Sequence, residues 1–77
     1  MKKSFMDFID VSDQYNRKTK TWTVCSKGGD QLGEIHWFAS WRRYCFMPLA
    51  YTVFDGVCLR EIAAFIGRQM LERGITK

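Results

Sequence analysis

Seventy-seven residues with a net charge of +4, an apolar fraction of 47% and an aromatic fraction of 16% describe one small folded domain, residues 1–77, and exclude a disordered chain. A chain this short buries only about 60% of the surface that its unfolded form exposes, so its core must come from a few large side chains. Three Trp, three Tyr and six Phe supply them, and the longest nearly uncharged run, Cys45 to Leu59, is broken by Pro48, Asp55 and Gly56 and cannot span a bilayer as a helix.

Residues 1–20 divide into a short apolar piece, with Phe5, Phe8 and Ile9 at helical spacing, and a polar stretch from Ser12 to Lys20. The first piece fits either one helical turn or an added edge strand. Lys2 and Lys3 precede it, but Asp7 and Asp10 interrupt the apolar run and no small-residue cleavage site follows, so no targeting segment is expected. Arg17, Lys18 and Lys20 make a basic cluster that reads first as solvated loop.

The run Thr21 to Ser26, TWTVCS, is β-branched and aromatic, and Lys27-Gly28-Gly29-Asp30 follows with glycines suited to a hairpin turn. A two-residue turn at Gly28-Gly29 pairs Trp22 with Ile35 and Val24 with Gly33. A turn at Ala39-Ser40 then pairs Ile35 with Tyr44, Gly33 with Phe46, His36 with Arg43 and Phe38 with Trp41. The two registers agree on one core face of Trp22, Val24, Ile35, Trp37, Tyr44 and Phe46, with room left at Gly33 for a neighbouring ring or helix. A four-residue second loop would keep that parity, whereas a three-residue loop would reverse it.

Pro48 ends the third strand, and Leu49 to Phe54 connect it to a helix of about Gly56 to Arg73 capped by Asp55. Cys58, Leu59, Ile62, Ala63, Phe65, Ile66 and Met70 fall on one side of that helix. Gly74 suits the position past its end, and Arg73 suits the macrodipole. The expected fold is therefore α+β: a three-stranded antiparallel meander over residues 21–48, packed on one C-terminal α-helix over 55–73, with a short N-terminal element.

The face opposite the core is the candidate binding surface. It gathers Thr21, Thr23, Glu34, His36, Phe38, Trp41 and Arg43, which combine hydrogen-bonding groups, flat rings and a guanidinium. Such rings stack on nucleobases for about 1–3 kcal/mol each, and Trp and Arg also anchor protein interfaces. The competing reading folds the N-terminal segment over this face and buries Phe38 and Trp41 under Phe5, Phe8 and Ile9. Arg42 alternates to the core side, where it is expected to stack on Trp37. The partner-binding candidates are thus His36, Phe38, Trp41 and Arg43, with Lys18 and Lys20 from the basic loop.

No catalytic, cofactor or metal signature appears. His36 is the only histidine, and Cys45 and Glu34 lie near it in the expected register, yet a structural zinc site needs four ligands at local spacings that the chain lacks. Lys27-Gly28-Gly29-Asp30 lacks the following Lys-Ser/Thr of a phosphate loop. Cys25 and Cys58 read as small buried hydrophobes, and an odd count of three cysteines without paired spacing argues for a reducing compartment.

From Trp22 to Met70 the chain resembles a set of short, uncharacterised proteins of phages, prophages and related mobile DNA. The likeness rests on Leu32-Gly33, Ile35, Trp37, Trp41-Arg42-Arg43-Tyr44, Phe46, Pro48, Thr52-Val53-Phe54, Cys58-Leu59 and Ile62-Ala63-Phe65-Ile66. The resemblance implies a mobile-element origin and the cytoplasm of a bacterial host cell as the compartment. It also implies a class in which many small proteins inhibit host machinery, an anti-CRISPR inhibitor being one instance. It carries no catalytic residues. The first functional reading is a non-catalytic accessory protein that binds a host protein or nucleoprotein machine. The second is direct nucleic-acid binding, with Phe38 and Trp41 on bases and Arg43, Lys18 and Lys20 on phosphates. The third is a self-associating homodimer that buries the exposed rings.

Overall fold

Alternation at the two-residue period governs four segments of the chain, not three. The computed structural model describes residues 6–15 and 18–74; Phe5 and Arg17, both named above, lie outside them. Its strands are β1 (Met6–Asp10), β2 (Thr21–Ser26), β3 (Gln31–Phe38) and β4 (Arg43–Pro48), followed by the helix α1 (Gly56–Arg73). A single 3-10 turn, Ser12–Gln14, lies between β1 and β2. The strands form one antiparallel sheet in the order β1-β2-β3-β4, so the fold is α+β with an antiparallel sheet and one C-terminal helix, and the expected three-stranded meander gains a fourth strand.

The extra strand comes from the segment that fitted either a helical turn or an edge. Five residues are too few for a helix to be stable alone, whereas pairing Phe8 with Val24 and Asp10 with Trp22 extends the ladder and carries Met6 and Phe8 to the core face. Met6 is buried there, and the Phe8 ring stacks on Phe65 of α1 with centroids 4.2 Å apart. The N-terminal segment therefore does not bury Phe38 and Trp41 beneath Phe8 and Ile9.

The β2–β3 hairpin reaches its expected register by an unexpected route. The Ser26 N–H donates to the Asp30 carbonyl at 2.8 Å, which leaves a three-residue loop whose last member, Gly29, has φ 97°. One extra residue then enters β3: Val24 pairs with Gly33 but Cys25 with Gln31, leaving Leu32 as a bulge. The shifts cancel, and Trp22 meets Ile35 as the alternation requires.

The β3–β4 hairpin does not cancel. Trp37 pairs with Tyr44, Ile35 with Phe46, His36 with Cys45 and Phe38 with Arg43, so the loop is the four residues 39–42 and β4 is displaced by two positions from a two-residue turn. Parity survives, and the core face is the expected one. Trp22, Val24, Ile35 and Tyr44 are buried on it, Trp37 and Phe46 flank them, and Ile62 and Phe65 close it from α1. Trp22 sits edge-on to both Tyr44 and Phe65, at 5.2 and 5.1 Å. Burial of each such side chain contributes about 1.5–3 kcal/mol.

Helix α1 keeps its expected ends. The Asp55 carboxylate accepts from the Cys58 N–H at 2.9 Å, and Gly74 turns left-handed at φ 91°. Its inward stripe is narrower than the sequence suggests: Cys58, Ile62, Phe65, Ile66 and Met70 face the sheet, while Leu59 and Ala63 are exposed. At the open edge of β4 the Tyr44 N–H is capped by Met70 Sδ at 3.5 Å, and Pro48 has no N–H to offer, which blunts strand addition on that side.

Two expectations test this packing. A methyl group at Gly33 would meet the Met47 carbonyl oxygen at 2.5 Å, the Phe46 ring at 2.8 Å and the Pro48 Cα at 2.9 Å. Because two of these are backbone atoms, Gly33→Ala should lower stability by about 2–3 kcal/mol in urea unfolding. The hydrogen bonds from the N-terminal turn of α1, the Cys58 N–H first, hold the Asp55 carboxyl below its ordinary value of 3.8. Its stabilisation is thus complete above that value and is lost as pH falls through the lowered one. Thermal unfolding should show the melting-temperature gap between the wild type and Asp55→Ala closing on acidification.

Candidate functional site

The outer sheet face is less open than the sequence suggests. Between β1 and β2 the chain crosses it: the Ser12 hydroxyl accepts from the Thr21 N–H at 3.0 Å, and the Tyr15 hydroxyl reaches Glu34 at 3.4 Å. Thr21 is buried as a result, and its own hydroxyl has no partner. His36 is half-buried, with Nδ1 3.3 Å from the Trp37 carbonyl oxygen. Thr21 and Glu34 are therefore poor contact residues, and the more exposed surface lies toward one end of the sheet.

That end is the β3–β4 loop and what surrounds it. The Phe38 carbonyl accepts from the Trp41 and Arg42 N–H groups at 3.1 and 2.8 Å, and Arg42 closes the loop in a left-handed conformation at φ 57°. Such a conformation costs a residue with a side chain roughly 1–2 kcal/mol relative to glycine. Trp41 leaves the sheet face where the two-residue turn would put it and stands in the loop, 65% exposed, with its ring perpendicular to the half-buried Phe38 ring at 5.1 Å. Trp41 and Arg43 line a shallow recess of about 230 Å³.

Lys20, just before β2, and Arg42, in the β3–β4 loop, lie at the same end of the sheet. Lys18 and Lys20 are exposed, and the Lys20 N–H donates to the Tyr44 hydroxyl at 3.3 Å, which ties the start of β2 to the start of β4. Arg42 does not stack on Trp37 as expected, because the four-residue loop removes it from the strand; Arg73, at the end of α1, takes that place with its guanidinium 4.2 Å above the ring. Among the described residues, no carboxylate lies within ion-pair distance of Lys18, Lys20, Arg42 or Arg43; the ion pair there is Lys27–Asp7, at 2.7 Å. Lys20 attracts the Asp10 carboxylate beyond ion-pair distance, and that carboxylate is held by Ser12.

Four of the six candidates, Phe38, Trp41, Arg43 and Lys20, thus converge on one end, with Lys18 two residues upstream. His36 lies two residues before Phe38 on the same face of β3, between Thr21 of β2 and Cys45 of β4. Cys45 is directly opposite His36 instead of diagonal to it, and Met47, not Cys45, faces Glu34. Among the described residues no three His, Cys, Asp or Glu side chains come together to hold a metal ion. Desolvation, and then the hydrogen bonding and charge of Asp55, push the Cys58 thiol up, which favours its unreactive protonated form. No described helix is long and apolar enough to cross a membrane.

A second feature escaped the sequence reading. After Pro48 the chain makes a turn in which the Thr52 hydroxyl donates to the Leu49 carbonyl at 2.8 Å and Tyr51 adopts φ 64°. Tyr51 is fully exposed, Val53 nearly so, and Leu49, Val57 and Leu59 flank them with substantial exposure. A turn without glycine or asparagine at its left-handed position, set in an apolar run, was the available signal. The chain matches no protein-family model, no curated protein and no solved structure.

The geometry separates the aromatic residues of the two faces by their effect on stability. Trp41→Ala and Arg43→Ala should each change unfolding free energy by less than about 0.5 kcal/mol. Trp37→Ala, which removes a ring held edge-on by Tyr44 at 5.2 Å and capped by Arg73, should cost about 3 kcal/mol. Urea titrations followed by circular dichroism check both.

Proposed function

We propose that this chain is a non-catalytic accessory module of the phage type, which binds a host nucleoprotein machine by contacting its nucleic acid with the β3–β4 end. The observation that carries this reading is the exposed Trp41 ring beside Arg43, at an end where Lys18, Lys20 and Arg42 have no carboxylate partner among the described residues. Cations without an ion-pair partner attract a polyanion, and an exposed indole can stack a base between phosphate contacts.

In the sequence the first reading is a host protein or nucleoprotein machine, and alternation sends Arg42 and Arg43 to opposite faces, so that they do not form one patch. The four-residue loop puts Arg42 at the same end as Arg43, and that raises the local charge and favours the nucleic-acid surface of such a machine. An unpaired single strand fits better than a duplex, since the Trp41 ring needs an unstacked base. Inhibition of a CRISPR effector is one role within this class.

Titration of a short single-stranded oligonucleotide into the protein, followed by tryptophan fluorescence, tests the reading. Three to four phosphate contacts predict a log–log salt slope of about −2 to −3. Arg43→Ala should reduce that slope by about 0.7, and Trp41→Ala should abolish most of the quenching. No saturable binding at low salt would overturn the proposal, and salt-insensitive binding would move the partner to an apolar protein surface.

A further inference from the structure

The outer face of the sheet holds two sulfurs that the core does not use. Cys45 and Met47 lie two residues apart on β4, so alternation turns both away from the side of Tyr44 and Phe46, and neither belongs to the apolar core, although each is half-buried. The four-residue loop sets His36 directly across from Cys45 and diagonal to Met47. Because the Tyr44 N–H points away from β3, residues 36 and 45 form the hydrogen-bonded kind of pair, with Cα atoms about 5.5 Å apart. The diagonal to Met47 is about 7–8 Å, within reach of so long a side chain.

The imidazole is set to offer its far nitrogen. Its Nδ1 lies 3.3 Å from the Trp37 carbonyl oxygen, which can only accept, so Nδ1 carries the proton and Nε2 keeps its lone pair. A backbone carbonyl on one ring nitrogen is the support that metal-ligating histidines ordinarily have. On the β2 side His36 faces the buried Thr21, whereas on the β4 side it faces the half-buried Cys45, so the open side of the ring is the side of the sulfurs. The donor set then decides the ion. Structural zinc takes four ligands from Cys, His and carboxylates. Among the described residues no three of those come together, and Glu34, across from Met47, accepts from the Tyr15 hydroxyl. One imidazole with a thiol and a thioether is a soft set, and sulfur ligands of this kind select monovalent copper.

We infer that His36 Nε2, Cys45 Sγ and Met47 Sδ form a three-coordinate site for Cu(I) on the outer sheet face. The Cu–S bond to Cys45 forms as the thiol gives its proton to solvent, and the copper stays monovalent, so no electron moves. What the thiol gives up is a single long contact, 3.8 Å to the Arg43 carbonyl oxygen. The site uses neither Trp41 nor the Arg43 guanidinium, so it stands apart from the nucleic-acid reading and either can fail without the other.

Competition for Cu(I) against the chromophoric chelator bicinchoninate, with ascorbate and without oxygen, tests it. The wild type should withdraw one Cu(I) per chain from the chelator. Cys45→Ser should weaken that binding by at least about a hundredfold, and Met47→Leu, which conserves volume and keeps the fold, by about tenfold, the range over which even supporting contacts of a metal site act. Cys25→Ser and Cys58→Ala should bind as the wild type does, because β3 separates Cys25 from Cys45 and Cys58 lies on the inward stripe of α1. Titration with Ag(I), a soft ion that does not change its oxidation state, should move the Nε2 resonance of His36 far more than that of Nδ1. A wild type that takes no copper from the chelator, a Met47→Leu variant that binds as tightly as the wild type, or binding that is lost with Cys25 in place of Cys45 would each overturn the inference.

Discussion

Side chains alternate along a β-strand, so a slip of one residue across any strand pair would turn the rings of this core toward water. Everything else in the molecule depends on that parity being kept through two imperfect hairpins. In the first, a three-residue loop and the Leu32 bulge shift the pairing by one residue each and cancel. In the second, a four-residue loop shifts it by two, which parity tolerates. Trp22, Val24, Ile35 and Tyr44 therefore reach one side together, where Phe65 and Ile62 of the helix can cover them. Gly33 lets β4 and the Phe46 ring approach closely enough to complete the layer.

The same constraint explains what could be read in the sequence. The helix was legible to its ends because its stop signals are local: Asp55 before it, Gly74 after it, and a stripe at helical spacing between them. The core face was legible because any loop of even length gives the same alternation. Loop length itself was not, and Trp41 and Arg42 fell in the residues on which two- and four-residue loops differ. The first strand was ambiguous because Phe5, Phe8 and Ile9 suit a helical turn as well as an edge strand. Only the ladder to β2 decides between them, and that contact is long-range. Tyr51 was missed because a connection is read for turn residues, and its left-handed residue is an aromatic.

Loop length also decides what the surface can do. A two-residue turn would have left Trp41 on a sheet face that Ser12 and Tyr15 partly cover. Four residues lift it clear of that face and set Arg42 beside it, at the end where Lys18 and Lys20 enter β2. Arg73 takes the place over Trp37 that alternation had suggested for Arg42, which stabilises the core rim and leaves Arg42 uncommitted. The result is a molecule with unlike ends joined by β4: basic and aromatic before the strand, apolar and uncharged after it. Both ends hold a left-handed residue other than glycine, and at both the strained turn displays an exposed ring.

The pairing of β3 with β4 is the claim from which these differences follow, and a nuclear Overhauser spectrum reads it directly. The Tyr44 N–H points away from β3, so residues 37 and 44 form a pair without mutual hydrogen bonds, in which the facing Hα atoms are close. Strong Hα–Hα cross-peaks between Trp37 and Tyr44 and between Ile35 and Phe46 are predicted. Cross-peaks joining Ile35 to Tyr44 in their place would return Trp41 to the sheet face and contradict the account.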